Sequence, residues 1–417
     1  MDQAPIARTK HMLGISGSGR PAVGTAESGV GKNSAGSRVG VFIALFVTGF
    51  ATFVNLYVTQ PLLPQFREIF HASELMVSLT VSAPVLAVAL AAPLVGLLAD
   101  ALGRKRVIVA AMIGLFLPTL LAATATDLNQ LVFWRFLQGL FIPGIIAVAM
   151  AYISEESPIG TVGSTMAAFV TGNVVGGFSG RFIAGLCATH YDWRVAFTVI
   201  GAITLAGSLA TWWLLPRSMK FVRQIGTTAS LGSLRLHLKN PQLLATYAIG
   251  FNVLFCQVGA FTYINFYLAD KPFGLGPAAL GAIFTVYLIG AVITPVSGVI
   301  LDRIGYRRTL RIAVGIIIAG MLLTLMRSLS VIIAGLTLVS TGVFACQAAA
   351  SSFVGKVAGR ARSSAAGLYV AFYYCGGFFG SILPGFFWSQ AGWVGCVALI
   401  LSMQAVILVL AARSWKD

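Results

Sequence analysis

The feature that most constrains this chain is a series of twelve apolar blocks of about twenty residues, separated by short polar stretches. A helix rises about 1.5 Å per residue, so each block matches a hydrocarbon core about 30 Å thick. The blocks run approximately over Val41–Leu63, Val77–Leu98, Val107–Thr126, Leu131–Ile153, Val162–Leu186 and Val195–Leu215. They continue over Leu243–Leu268, Ala279–Ile300, Ile312–Met326, Val331–Phe353, Ala366–Phe387 and Val394–Ala411. Membrane β-strands would be about ten residues of alternating polarity, and no block alternates. The expected fold is an all-α membrane protein with twelve transmembrane helices. Only 10% of residues are charged and 58% are hydrophobic, whereas a soluble domain carries roughly 25% charged residues.

A net charge of +16 raises the possibility of nucleic acid, but its placement argues otherwise. Loops after odd-numbered blocks hold only Arg67, Arg194, Lys271 and Arg327 among the 28 Lys and Arg. Arg135 and Arg181 lie inside blocks, and the rest fall on the other side with both termini. That bias follows the positive-inside rule, so both termini are expected in the cytoplasm, and the basic charge reads as topology with some attraction to anionic lipid. No nucleic-acid partner is expected. The five cysteines sit within or at the ends of blocks without metal-ligand spacing, so neither a disulfide, a metal nor any cofactor is expected. The first block is too long, and too far from the start, for a cleavable signal peptide.

The chain repeats itself at about half its length. Gly96-Leu97-Leu98-Ala99-Asp100-Ala101-Leu102-Gly103-Arg104-Lys105-Arg106 follows the second block, and Gly298-Val299-Ile300-Leu301-Asp302-Arg303-Ile304-Gly305-Tyr306-Arg307-Arg308 follows the eighth. Gly163, Gly172 and Gly176 of the fifth block match Gly367, Gly376 and Gly380 of the eleventh, and Asn55-Leu56-Tyr57 matches Asn265-Phe266-Tyr267. Repeats of this kind indicate duplicated units. The expected organisation is a disordered cytoplasmic tail over 1–38, a six-helix bundle over 39–216, and a cytoplasmic linker over 217–240. A second, pseudo-symmetric bundle over 241–412 and a short tail over 413–417 complete it. Five basic residues and no acid between Pro216 and Asn240 suit a segment lying on the inner leaflet.

The Gly96–Arg106 loop and its second copy resemble the signature of the major facilitator superfamily. Arg135-Phe136-Leu137-Gln138-Gly139 resembles that family's fourth-helix signature, and Gly163, Gly172, Gly176 and Gly180 resemble the fifth-helix signature of its drug:proton antiporters. Gly172-Asn173-Val174-Val175-Gly176-Gly177-Phe178-Ser179-Gly180-Arg181 looks most like the YNFM-type group of bacterial transporters. Arg181 stands where the antiporter signature has Gly, and Gly177 where it has Pro. The resemblance implies two bundles around a central cavity opening alternately to each side, a monomer in the bacterial inner membrane, and a small-molecule substrate with protons as coupling partner. It also implies that Gly96, Asp100, Gly103 and Arg104, with Gly298, Asp302, Gly305 and Arg307, gate the cytoplasmic face. The plainer reading of those loops is a topogenic anchor.

Polar groups inside a bilayer should face a cavity or a partner. Asn55, Tyr57, Arg135, Gln138, Asn173, Arg181, Asn252, Gln257, Asn265, Gln347 and Tyr373 are therefore the candidate substrate-binding residues. An intramembrane Arg costs at least about 2.5 kcal/mol on insertion scales, so Arg135 needs a reward. Either it faces substrate, or it snorkels outward, or it pairs with Gln138 and backbone carbonyls. Gly172, Gly176, Gly180, Gly376 and Gly380 are expected to pack helices closely, either on surfaces that slide between the halves or in ordinary tight contacts. No Asp, Glu or His falls mid-block; the acids nearest the membrane are Asp100, Glu155, Glu156 and Asp270. Proton coupling thus comes from the resemblance alone. Two buried cations without an acid favour an anionic or neutral polar substrate over a lipophilic cation. Proton-driven export of a small organic molecule is the leading expectation, and uptake or exchange of a small organic anion the alternative. Neither clustered nucleophiles nor a phosphate-binding loop points to an enzyme or an ATP-driven pump.

Overall fold

The computed structural model describes residues 30–158, 160–218, 237–358 and 362–415, with backbone alone over 30–38, 94, 96–102 and 362–364. Most of the expected tail and of the 217–240 linker, and residues 416–417, lie outside the described residues. Residues 40–417 form one compact unit.

The first half contains α1 (Val30–Leu56), a 3-10 turn (Gln60–Leu62), α2 (Leu63–Ile69), α3 (Glu74–Leu102), α4 (Arg104–Ala122), α5 (Leu128–Glu156), α6 (Val162–His190) and α7 (Trp193–Leu214). The second contains α8 (Pro241–Ala269), α9 (Pro277–Ile283), a 3-10 turn (Phe284–Leu288), α10 (Ile289–Ile304), α11 (Tyr306–Leu323), α12 (Leu329–Val357) and α13 (Arg362–Ser414). Polar residues between the blocks start several helices. Asp127 Oδ1 accepts from Gln130 N at 2.9 Å, Asp192 Oδ1 from Arg194 N at 2.8 Å and Asn240 Oδ1 from Gln242 N at 3.0 Å, satisfying amides that the first turn leaves unpaired.

Among the described residues nine stretches are long and apolar enough to cross a membrane, against twelve expected. The difference arises at three places. The glycines and hydroxyl residues of α6 dilute its apolarity, and Arg307, Arg308 and Arg311 do the same for α11. The final stretch counts once, yet its backbone leaves the helix at Ala391 (φ −139°) and Gly392 (φ +58°), dividing α13 into two helices. Helices thus stand at all twelve expected positions.

Glycines set the closest packing inside each half. A Cβ at Gly172, Gly176 or Gly180 would collide with the carbonyl oxygens of Phe46, Phe50 and Val54, so α6 lies backbone-to-backbone on α1. Gly376 and Gly380 press α13 onto the carbonyls of Phe251 and Phe255 on α8 in the same way. These five glycines pack helices tightly within a half. Gly185 and Gly281 meet the other half, at Pro277 and Arg181, and Gly377 and Gly385 touch both halves, at Leu254 and Val85 and at Tyr263 and Leu75.

The halves touch at one end. There Arg67 Nη2 reaches Asp270 Oδ1 at 2.8 Å, Gln60 Nε2 donates to Thr262 Oγ1 at 3.2 Å, and Ala278 N donates to Thr189 Oγ1 at 3.0 Å. At the other end, among the described residues, no heavy atom stands within 4 Å of a Cβ built at Gly163, Gly298 or Gly367. Among the described residues the hydrogen bonds between the halves gather at the end bearing the 57–73 connection.

Candidate functional site

Two buried arginines define the polar interior, and the structure gives them different work. Arg135 lies two turns into α5 and is fully buried. Helix α1 stops at Leu56 because Pro61 and Pro64 follow, which frees the Asn55 and Leu56 carbonyls from regular i+4 partners. On α3, Pro84 has no N–H to offer the Thr80 carbonyl. Arg135 collects all three: Nε donates to Thr80 O at 3.0 Å, Nη1 to Asn55 O at 2.8 Å and Nη2 to Leu56 O at 2.5 Å. Nη1 also donates to Gln138 Oε1. Gln138 Nε2 continues to Thr119 Oγ1 at 3.0 Å, Thr119 to Asn55 Oδ1 at 2.7 Å, and Asn55 Nδ2 to Thr204 Oγ1 at 2.8 Å.

Hydrogen bonds to charged groups are worth about 1.5–3 kcal/mol each, so four of them offset the insertion cost. Asn55, Arg135 and Gln138, which the sequence offers as substrate-facing, are here bonded to one another and to backbone carbonyls. They form a sealed network inside the first half, and each is fully buried. The second half has a smaller counterpart. Asn252 Nδ2 donates to Gln404 Oε1 at 3.2 Å, and Asn265 Nδ2 to Phe261 O at 2.5 Å, with Asn252 and Asn265 2–3% exposed. These two asparagines likewise brace helices instead of facing open space.

Arg181 on α6 sits where the halves meet. Its Nε donates to Gln60 Oε1 at 2.7 Å and its Nη1 to Gly177 O at 2.5 Å. The rings of Tyr57 from the first half, and of Phe284 and Tyr287 from the second, surround the guanidinium at 4.8, 4.6 and 4.8 Å. Its side chain is buried, at 2% exposure, and no acid lies among those neighbours. Gly177 is part of the same arrangement, since a Cβ there would stand 3.4 Å from Arg181 Nη1. The two departures from the antiporter signature are thus in contact with each other.

Around this cage lie the remaining candidates. Gln257 lies one turn before Phe261, whose ring meets that of Tyr287 edge-on at 4.5 Å, and Gln347 Oε1 accepts from Tyr369 Oη at 2.8 Å. Tyr373 stacks on Tyr369 at 6.2 Å and meets Tyr374 edge-on at 5.4 Å. The half-buried Asn173 has its Oδ1 without a hydrogen-bond partner among the described residues. Gln257, Gln347 and Tyr373 are also half-buried. The structure therefore brings Tyr57, Arg181, Gln257, Gln347 and Tyr373 toward one region and leaves the two asparagine-centred clusters outside it.

The repeated loops lie at the end away from the 57–73 connection. Gly96 and the side chain of Asp100 lie outside the described residues. Gly103 (φ +89°) and Gly305 (φ +82°) make the tight turns into α4 and α11, in a region of backbone space that side chains disfavour. Arg104 forms a two-pronged pair with Glu155, at 3.0 and 2.7 Å, and Arg307 Nη2 donates to Ala412 O at 2.6 Å. Each basic residue ties its turn to the end of another helix in its own half. Asp302 is exposed, and Gly298 faces open space.

Sequence reasoning missed the contact that joins the halves at the closed end. Arg67 Nη1 also reaches Glu74 Oε1 at 3.1 Å, so Arg67 bridges an acid from each half. Read locally, these are a loop cation and two helix-end acids; only the folded arrangement brings Arg67 and Asp270 together.

The sequence profile of the Major Facilitator Superfamily matches residues 42–359 and 268–416. The inner membrane transport protein YnfM of Escherichia coli (strain K12) is 34% identical over 376 residues, 89% of this chain and 90% of that protein. Multidrug resistance protein 2 of Bacillus subtilis (strain 168) is 24% identical, covering 89% of this chain and 96% of its own. The crystal structure of a bacterial homolog of the human lysosomal transporter Spinster, in an inward-facing and unoccupied conformation, superposes with a TM-score of 0.76 at 16% identity, over 91% of this chain and 99% of that one. The profile, the YnfM identity and the helical architecture agree that this chain is a multi-pass membrane transporter belonging to the major facilitator superfamily.

Proposed function

We propose that this transporter exports a small organic molecule against its gradient by proton-coupled alternating access. The observation that carries the reading is the contact between the halves at the Arg67–Asp270 end. Two halves, each knitted internally by backbone-close helix pairs, are joined there by few polar contacts, an arrangement that suits rocking of one half against the other. The similarity to a multidrug resistance protein supports export. In this reading the chain sits as a monomer in the bacterial inner membrane as two six-helix bundles, with both termini, the 217–240 linker and the end bearing the repeated loops in the cytoplasm, as the charge bias supports.

The gating role of Gly96, Asp100, Gly103 and Arg104, and of their second copy, belongs to the same proposal. So does a substrate-facing set of Tyr57, Asn173, Arg181, Gln257, Gln347 and Tyr373. A specific observation favours the second reading, uptake or exchange of a small organic anion. Arg181 is a buried cation between the halves with no acid beside it, and an anion would relieve that imbalance.

Proteoliposomes with a trapped pH-sensitive dye test both readings against anionic, neutral and cationic compound sets. Export coupling requires that an imposed pH gradient drive compound movement and that compound movement dissipate the gradient. If compounds exchange for one another with no proton movement, the second reading stands and the first is overturned.

A further inference from the structure

Arg181 has five N–H donors, and its hydrogen bonds to Gln60 and Gly177 use Nε and Nη1. Nη2 makes none among the described residues, although the side chain is 2% exposed and lies at membrane depth. A buried guanidinium with an unused edge is costly unless something takes that edge. What surrounds it is aromatic and comes from both halves. Tyr57, Phe284 and Tyr287 stand over the guanidinium at 4.6 to 4.8 Å. From Tyr287 the rings continue to Phe344, edge-on at 6.3 Å; about one turn along that helix Gln347 accepts from Tyr369 at 2.8 Å, and Tyr373 stacks on Tyr369 at 6.2 Å. Tyr373 and Gln257 are half-buried.

A surface with one planar cation and a bank of rings suits one kind of ligand. The guanidinium fork matches a carboxylate. Ring faces take a flat ring by offset or edge-on stacking, worth about five-fold in affinity over an aliphatic ring of similar size. A lipophilic cation would want an acid, and this cluster offers none.

We propose that the transported substrate is a small aromatic carboxylate, its carboxylate on the free edge of Arg181 and its ring against Tyr373 and the neighbouring tyrosines. This rests on the organic-anion reading and adds the ring requirement. Because Phe284 and Tyr287 belong to the opposite half, separation of the closed end removes two of the three rings that cover Arg181 and exposes the edge to which the carboxylate binds.

Isothermal titration of the purified full-length transporter with benzoate, cyclohexanecarboxylate, benzamide and benzylamine tests the assignment. Benzoate should bind about five-fold more tightly than cyclohexanecarboxylate, with no saturable binding of benzamide or benzylamine. Arg181→Gln should lose both carboxylates and Arg181→Lys recover them in part. Should Arg181→Gln fail to fold, Tyr373→Leu carries the test: it should erase the preference for benzoate while leaving cyclohexanecarboxylate binding in place. Equal affinity for the two carboxylates overturns the ring requirement and leaves the organic-anion reading standing. Preference for benzamide or benzylamine, or binding of none of the four, overturns the assignment of Arg181 as an anion site.

Discussion

The Arg67–Asp270 pair sets how firmly the closed end stays shut. Asp270→Asn keeps the size of the side chain and removes its charge. The wild-type pair makes two hydrogen bonds, at 2.8 and 3.4 Å, with side-chain exposures of 26% for Arg67 and 47% for Asp270. A buried charge pair at this distance would be worth about 4 kcal/mol at an effective dielectric near 20. Asp270 is half in water, so the range for exposed pairs, about 0.2–1 kcal/mol, applies instead. The two-pronged geometry places it at the upper end of that range, about 1 kcal/mol. Loss of that amount should raise the ratio of open to closed molecules at this end about five-fold. Glu74 holds Arg67 from within the same half, so Glu74→Gln should move the ratio much less. Double electron–electron resonance between spin labels at Tyr191→Cys and Lys271→Cys, one on each half, reads the ratio as a distance distribution. The Asp270→Asn shift should shrink in 1 M salt, where screening acts within about 3 Å. An unchanged distribution, or equal shifts in the two variants, refutes the latch.

Four further outcomes follow from the geometry. Arg135→Lys should cost stability and expression, because a point charge cannot reach three separate carbonyls; leaving two of them unpaired costs about 1–3 kcal/mol each, and normal thermal stability of this variant counts against the role assigned. Gly176→Leu should unfold the first half, since its side chain meets the Phe50 backbone, whereas Gly163→Leu, in open space, should leave thermal stability within about 0.5 kcal/mol. Asp100→Asn should insert and fold yet transport poorly, and unchanged transport at equal expression would reduce Asp100 to a topogenic anchor. A reporter fused at residue 228 should behave as cytoplasmic; alkaline phosphatase activity there rules out the proposed orientation.

The architecture is legible in the sequence because bilayer thickness imposes a block length and duplication imposes a period, and both survive in one dimension. Functional placement is less legible, for a reason Arg135 illustrates. Its need for partners is plain from its position in an apolar block. Which partners it finds depends on a proline one helix away and on a break two helices away, neither of which is periodic. The glycine ladders show the same limit: four-residue spacing announces a close contact without naming the helix contacted. Arg181 and Gly177 are legible as departures from a signature, and the structure places them in contact.

The Arg135 clamp has a consequence for how the protein is made. Its acceptors, the carbonyls of residues 55, 56 and 80, all leave the ribosome before Arg135 does. When α5 enters the bilayer, its charge finds relief only if α1 and α3 already stand side by side in the lipid. Until then the arginine opposes insertion by about 2.5–3.5 kcal/mol. The same residue that braces the finished bundle therefore ties the fourth crossing to the first two, which precede it in synthesis.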